Sequence, residues 1–410
     1  MSVEDTPQFS VLRHRSFAFF WLSRMSGSLA MQMQTVAVGW QVYEMTNSPF
    51  DLGLVGLAQF LPLVSLMLVA GHVADRYDRK TIVRVSQAID GLAMTVLAAG
   101  TAGGWLTRDL ILAMVFAFGA ARAFQQPTMQ TLLPAIVPAA LLSRAVAASS
   151  SSNQIATIAG PAIGGLLFAL SPPLVYTLCA LLYLGAAVLI SFIKIERTPP
   201  NREPVTFATV FAGIAFIRRQ PVILGAITLD LFAVLLGGAT ALLPVFARDI
   251  FDTGPWGLGL MRLSPAIGAL AISVVLARWP MRRHTGYIMF AAVACFGIAT
   301  VVFGLSTSFP LTLTALAVLG AADMVSVVTR QTLIQLGTPN EMRGRVSAVN
   351  SLFIGTSNQL GEFESGLTAA WFGTVPAVLI GGIGTVLVVF AGLKLFPQLA
   401  RIDSVEDVRK

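Results

Sequence analysis

Apolar runs of about 20 residues recur along nearly the whole sequence, and the short stretches between them hold most of the lysine and arginine. A hydrocarbon layer about 30 Å thick takes roughly 20 helical residues to cross, and a backbone out of reach of water must satisfy its own hydrogen bonds. The runs therefore predict an all-α polytopic membrane protein. Only 11% of the 410 residues are charged, against about 25% in soluble domains, which leaves too little charge for a normal solvated surface.

Twelve spans are expected, near residues 17–43, 52–73, 82–104, 109–133, 142–169, 172–194, 221–247, 256–279, 285–305, 310–336, 344–370 and 373–396. They fall into two six-helix halves, 1–194 and 221–410. The segment 195–220 between them holds Glu196, Arg197, Pro199-Pro200, Arg202 and Glu203, then an apolar stretch closing on Arg218-Arg219. It reads as a cytoplasmic linker with an interfacial helix. The first run continues well past signal-peptide length without a small-residue cleavage site, so it is expected to stay in the chain.

Arg13, Arg15, Arg76, Arg79, Lys80, Arg84, Arg144, the linker cluster, Arg278, Arg282, Arg283, Arg343, Arg345 and the tail fall on one side of this arrangement. Arg108 and Arg248 fall on the other, which puts both termini in the cytoplasm. The net charge of +7 thus belongs to topology and not to nucleic-acid binding. Cys179 and Cys295 both lie in apolar runs, so neither a disulfide framework nor a metal site is indicated.

The halves repeat in sequence. At a constant offset of 201 positions, Gly119-Ala120-Ala121-Arg122 matches Gly320-Ala321-Ala322-Asp323, and Gln130-Thr131-Leu132 matches Gln331-Thr332-Leu333. Pro138, Arg144, Gly160 and Gly165 meet Pro339, Arg345, Gly361 and Gly366 in the same register. Pro49-Phe50-Asp51-Leu52-Gly53-Leu54 also matches Pro255-Trp256-Gly257-Leu258-Gly259-Leu260. A duplicated six-helix unit implies a solute site between the repeats and alternating access around it.

The segment Gly71-His72-Val73-Ala74-Asp75-Arg76-Tyr77-Asp78-Arg79-Lys80 resembles the signature loop of the major facilitator superfamily, with Asp78 where the superfamily usually has glycine. The resemblance implies that Gly71, Asp75, Arg76, Arg79 and Lys80 form a latch between the halves. Asp75 is expected near the N-terminal end of the third helix, and the basic residues near anionic headgroups. Gly160-Pro161-Ala162-Ile163-Gly164-Gly165 resembles the fifth-helix motif of major facilitator antiporters, with Ala156 in place of an upstream glycine. Tight helix packing uses the same residues. From Gly337 to Arg345 and from Ser357 to Gly366 the chain is similar to the enterobactin exporter branch, which also holds unassigned multidrug exporters. That similarity runs from Phe9 to about Phe396.

Arg24, Asp90, Arg122, Asp230, Arg262, Asp323, Arg330, Glu362 and Glu364 lie inside apolar spans. Each charge at that depth costs about 2.5–3.5 kcal/mol on insertion scales, so each is expected to face a cavity or a partner. In the fold that the resemblance implies, spans 1, 4, 7 and 10 line the cavity, which sets Arg24, Arg122, Asp230 and Asp323 beside the solute path. Asp230 and Asp323 are expected to exchange a proton against solute or arginine, with Arg122 tuning them; a fixed interhelical ion pair is the competing use of any one of these residues. Glu362 and Glu364 sit two apart and point to different faces, one toward the Arg343 and Arg345 region or span 10, the other toward the proton path. Phe19, Phe20, Trp21, Trp40 and Tyr43 are expected in the interfacial belt or facing lipid, with a stacking surface for an aromatic solute as the alternative. His14, His72 and His284 are expected to be solvated.

No phosphate-cradling glycine loop and no catalytic grouping stands in the sequence, which argues against a pump or an enzyme. The expectation is a monomeric, cofactor-free, proton-coupled exporter of a small organic solute, siderophore-like or drug-like, in the inner membrane. A lysolipid or other solute facilitator without proton exchange, and a transport-inactive membrane sensor, are the alternatives.

Overall fold

The structure is a computed structural model that describes residues 13–194, 207–279, 281 and 283–403. The charged part of the linker, Glu196 to Glu203, and Arg282 lie outside the described residues. The described residues are helical, with no strand among them.

The first six helices are α1 (Arg15–Thr46), α2 (Pro49–Arg76), α3 (Arg79–Gly103), α4 (Arg108–Ile136), α5 (Leu142–Leu170) and α6 (Pro172–Ser191). Then come α7 (Phe207–Arg219), α8 (Pro221–Leu236), the single turn α9 (Leu243–Val245), α10 (Gly254–Arg278) and α11 (Thr285–Leu305). The last are α12 (Phe309–Gly337), α13 (Asn340–Phe372), α14 (Thr374–Leu395) and the short α15 (Pro397–Ala400). Local punctuation explains many of the ends. Gly104 closes α3 in the left-handed conformation, φ 69°, which favours glycine. The Thr107 side chain accepts from the Leu110 amide at 3.3 Å and starts α4. Prolines open α6, α8, α10 and α12, where the missing N–H has no helical partner to lose.

Ten helices among the described residues are long and apolar enough to cross a membrane. α1 and α13, with 32 and 33 residues, complete the twelve-helix arrangement. Both are more polar because they carry Arg24, Gln32 and Gln34, and Asn350, Gln359, Glu362 and Glu364; a helix with neighbours on one face need not be apolar all round.

The seventh span is not a continuous helix. α8 stops at Leu236, Gly237 and Gly238 follow, and the chain resumes as a 3-10 turn (Ala239–Leu242), α9 and a π turn (Phe246–Ile250). A Cβ on Gly238 would collide with the Gly361 backbone and one on Gly237 with the Phe296 ring and the Ala233 carbonyl. Close approach of α13 holds the break in place, and only glycine fits there.

The chain divides into two compact units, Met1–Val38 with Leu61–Pro204, and Gly39–Phe60 with Val205–Lys410. In the first, Phe17, Phe20, Val83, Leu132, Ile136 and Ile190 form a buried cluster. In the second, one cluster joins Leu229, Phe290, Leu333 and Leu399. Another sets Ile217 of α7 against Ile223, Val346 and Val349, so the amphipathic α7 lays its apolar side on α13 and leaves Arg218 and Arg219 exposed.

Candidate functional site

On α12, Asp323, Ser326 and Arg330 are spaced three and then four residues apart, which sets them in one row on the helix surface. Across from that row stands Asp230 on α8. Arg330 Nη2 lies 3.2 Å from Asp230 Oδ2, and the two residues are 2% and 5% exposed. Ser326 Oγ donates to Asp230 Oδ1 at 3.3 Å, and Arg330 Nη1 donates to the Asn350 side-chain oxygen of α13 at 2.8 Å. Asp323 lies within electrostatic reach of both Asp230 and Arg330. Asp230, Asp323, Ser326 and Phe296 line one small cavity with Ala233 and Ala322. Arg330 thus pairs with Asp230 while Asp323 stands within electrostatic reach of both, and with both acids ionised the three groups carry a net charge of −1.

Arg122 on α4 interacts electrostatically with Asp90 on α3. Around them, Tyr183 Oη donates to Gln34 Oε1 at 3.0 Å, and the Ser23 hydroxyl pairs with Gln87 and donates to the Ala186 carbonyl. Arg24, half-buried on α1, makes no ion pair among the described residues.

A third charged set belongs to the second unit. Glu362 on α13 acts electrostatically on Arg262 of α10. At the neighbouring crossing of α2 and α13, a Cβ on Gly56 would stand 2.9 Å from the Gln359 carbonyl, and one on Gly366 2.6 Å from the Gly53 Cα. Glu364 behaves differently from Glu362, as their two-residue spacing requires: it accepts from Thr368 Oγ1, one turn along its own helix, at 2.8 Å. Trp40 and Tyr43 are buried, 6% and 4% exposed, and Phe20 is fully buried, which corrects their expected place in an aromatic belt. The Tyr43 hydroxyl is hydrogen-bonded to Asp249, and the Arg248 guanidinium sits 5.6 Å over its ring. Polar partners from the turn after α9 hold this ring inside protein.

The signature loop is organised around the residue that departs from its pattern. Asp78 Oδ2 accepts from the Thr81 amide at 3.0 Å and its hydroxyl at 2.9 Å, making Asp78 the N-cap of α3, whereas Asp75 stands in the last turn of α2 and its side chain lies outside the described residues. Lys80 does not point to headgroups: its Nζ donates to the Ser191 and Ile193 carbonyls at 2.9 and 3.2 Å, neutralising the C-terminal end of α6. Gly71 falls inside α2, and Arg76 and Arg79 flank the turn. Replacing Asp78 by alanine should cost about 1 kcal/mol through loss of the cap, read as a lower thermal midpoint, while asparagine should retain most of the stability.

The Gly160 to Gly165 stretch packs against α1. A Cβ on Gly164 would lie 2.8 Å from the Met33 Cα and 2.9 Å from its carbonyl oxygen, and one on Gly160 would strike Gln32. Pro161 and Gly165 are buried in the same helix. In the second unit, a Cβ on Gly361 would stand 2.9 Å from the Val234 carbonyl oxygen. Met33 and Val234 are 201 positions apart, as are Gly160 and Gly361, so the helix pair related by that offset packs closely at a glycine in both units, although Gly164 itself falls on Ser365.

The structure brings Asp230 and Asp323, both singled out in the sequence, to one cavity, and it adds what the sequence did not pair with them: Arg330 against Asp230, and Asn350 against Arg330. The spacing of Asp323 and Arg330 on one helix face was the available signal. Asn350 gave none.

A family model described as transmembrane secretion effector matches residues 6–409. Among curated relatives, an uncharacterized MFS-type transporter, YfiS of Bacillus subtilis (strain 168), is 26% identical over 361 residues, 83% of this chain and 83% of that protein. The enterobactin exporter EntS of Citrobacter koseri (strain ATCC BAA-895 / CDC 4225-83 / SGSC4696) is 24% identical over 399 residues, 95% of this chain and 93% of that protein. Among solved structures, the nucleoside transporter NupG superposes with a TM-score of 0.69 at 13% identity, covering 93% of this chain and 99% of that one. A D-xylose-proton symporter gives 0.71 at 13%, covering 95% and 98%. At that identity the structures speak for the fold alone.

Proposed function

Because the chain belongs to the transmembrane secretion effector family of major facilitator transporters, we propose that it exports a small organic solute, siderophore-like or drug-like, in exchange for protons. The observation that carries this reading is that Asp230 and Asp323 line one cavity, with Arg330 3.2 Å from Asp230 and within electrostatic reach of Asp323. A proton on one aspartate leaves the other paired with Arg330. Solute that competes for the aspartates or the arginine releases that proton, and a returning proton releases the solute, which is the exchange an antiporter needs. Enterobactin export by relatives that cover most of this chain supports the direction and the solute class.

The surrounding roles follow from the same reading. Residues 1–194 and 221–410 act as two six-helix halves joined by 195–220, and they alternate access to the cavity, with the loop from Gly71 to Lys80 as latch. Gly160, Pro161, Gly164 and Gly165 keep α5 close to α1, while Arg24, Arg122, Glu362 and Glu364 shape the field of the path. The protein works as a monomer in the cytoplasmic membrane, surrounded by lipid, with both termini in the cytoplasm.

The test is solute-induced proton release from protein reconstituted in vesicles, screened with catecholate siderophores, cationic drugs and lysolipids. A signal from one class is expected, falling to background in Asp230→Asn and Asp323→Asn. Measurable binding without proton release in the native protein would replace antiport by facilitation.

A further inference from the structure

We propose that Asp90 is a second proton-binding site, enclosed in the first unit and separate from the aspartates of α8 and α12. Asp90 lies midway along α3 and is 5% exposed. The backbone around it is pressed against α6, since a Cβ on the adjacent Gly91 would stand 2.7 Å from the Leu184 side chain. Asp90 Oδ1 has no hydrogen-bond partner, and the carboxylate makes no ion pair among the described residues.

Polar groups nearby are committed elsewhere. Tyr183 of α6 donates to Gln34 of α1, the Cys179 thiol to the Ala30 carbonyl at 3.6 Å, and Ser23 to the Ala186 carbonyl. Among the described residues the charge acting on Asp90 is that of Arg122 from α4, which is half-buried and makes no salt bridge with it. Asp230 makes the contrast: it is equally buried, yet holds Arg330 at 3.2 Å and accepts from Ser326. An ionised carboxylate at such depth with no contact partner is far more costly than the neutral acid, so Asp90 carries a proton in this arrangement.

Arg122 supplies the means of exchange. When its guanidinium moves into contact, the Asp90 carboxyl gives its proton to water and the carboxylate is held as an ion pair; when it withdraws, one proton returns from water. The 201-position offset sets Arg122 opposite Asp323 but relates no carboxylate of one site to a carboxylate of the other, because Asp90 falls on Ala291 and Asp230 on Leu29. The carrier therefore has a proton site of different design in each unit. Antiport would use this site, but its occupancy exists without transport.

Infrared difference titration of the purified full chain reads that occupancy. The expected result is a protonated-carboxyl band that Asp90→Asn removes and Asp323→Asn leaves. In Arg122→Gln the same band should persist at alkaline pH where the native protein has lost it, and Asp90→Glu should move it. Identical bands in the native protein and Asp90→Asn, or a titration indifferent to Arg122→Gln, would overturn the proposal. An intact Asp90 band in a preparation whose solutes release no protons would support this site and count against antiport alone.

Discussion

Replacing Arg330 by methionine is expected to destabilise the protein by about 3–5 kcal/mol, because it leaves Asp230 buried without its partner. The residue is 2% exposed and makes both the 3.2 Å pair with Asp230 and the 2.8 Å bond to Asn350, so its loss leaves both partners buried. Removing both charges, as Arg330→Met with Asp230→Leu, should restore most of the loss, since an apolar pair of similar volume often matches a buried ion pair. A double-mutant cycle on thermal midpoints measures the coupling. The single mutant should be weakest at alkaline pH, where Asp230 and Asp323 are both ionised with no base between them, and should recover as acid neutralises them. Additive single effects would mean that the pair contributes nothing as a pair.

The fold was legible because its signal is composition spread over whole spans. Thr285–Leu305 coincides with its expected limits, and the others differ at their ends. The break after Leu236 was not legible, because Gly237 and Gly238 interrupt a run that stays apolar on both sides, and what fixes the break is the approach of Gly361 more than a hundred residues later. The site divides in the same way. An aspartate in an apolar run announces itself, but whether it meets an arginine, as Asp230 does, or none in contact, as Asp90 does not, depends on which helix faces which. Asp78 reads as a departure from a motif until the helix start it caps is seen. Tyr43 and Trp40 look like belt residues because their type is common at interfaces, and only the neighbouring Arg248 and Asp249 show the ring to be enclosed.

The Gly160 to Gly165 motif bears on stability before it bears on coupling, and Gly164 separates the two. Its missing side chain lets α5 approach the α1 backbone at Met33, where an added Cβ would lie 2.8 Å from the Cα. Neither backbone can give way without moving a helix, so Gly164→Val should cost about 1–3 kcal/mol by overpacking, or more. Gly185 of α6 is the control, since nothing lies within 4 Å of a Cβ there; Gly185→Ala should leave the thermal midpoint unchanged or raise it slightly, because alanine suits a helix interior better than glycine. If Gly164→Val folds at a reduced midpoint yet exchanges solute for protons at the native ratio, the motif is a packing device. A changed ratio in protein that is still folded would show that the distance between α5 and α1 enters the coupling itself. The physical ground for expecting the first outcome is that the helix pair related by the 201-position offset also approaches closely at a glycine, since a Cβ on Gly361 would lie 2.9 Å from the Val234 carbonyl oxygen, in a stretch without the proline and with Ser365 where Gly164 falls: the shared element is close approach, and close approach is what glycine supplies.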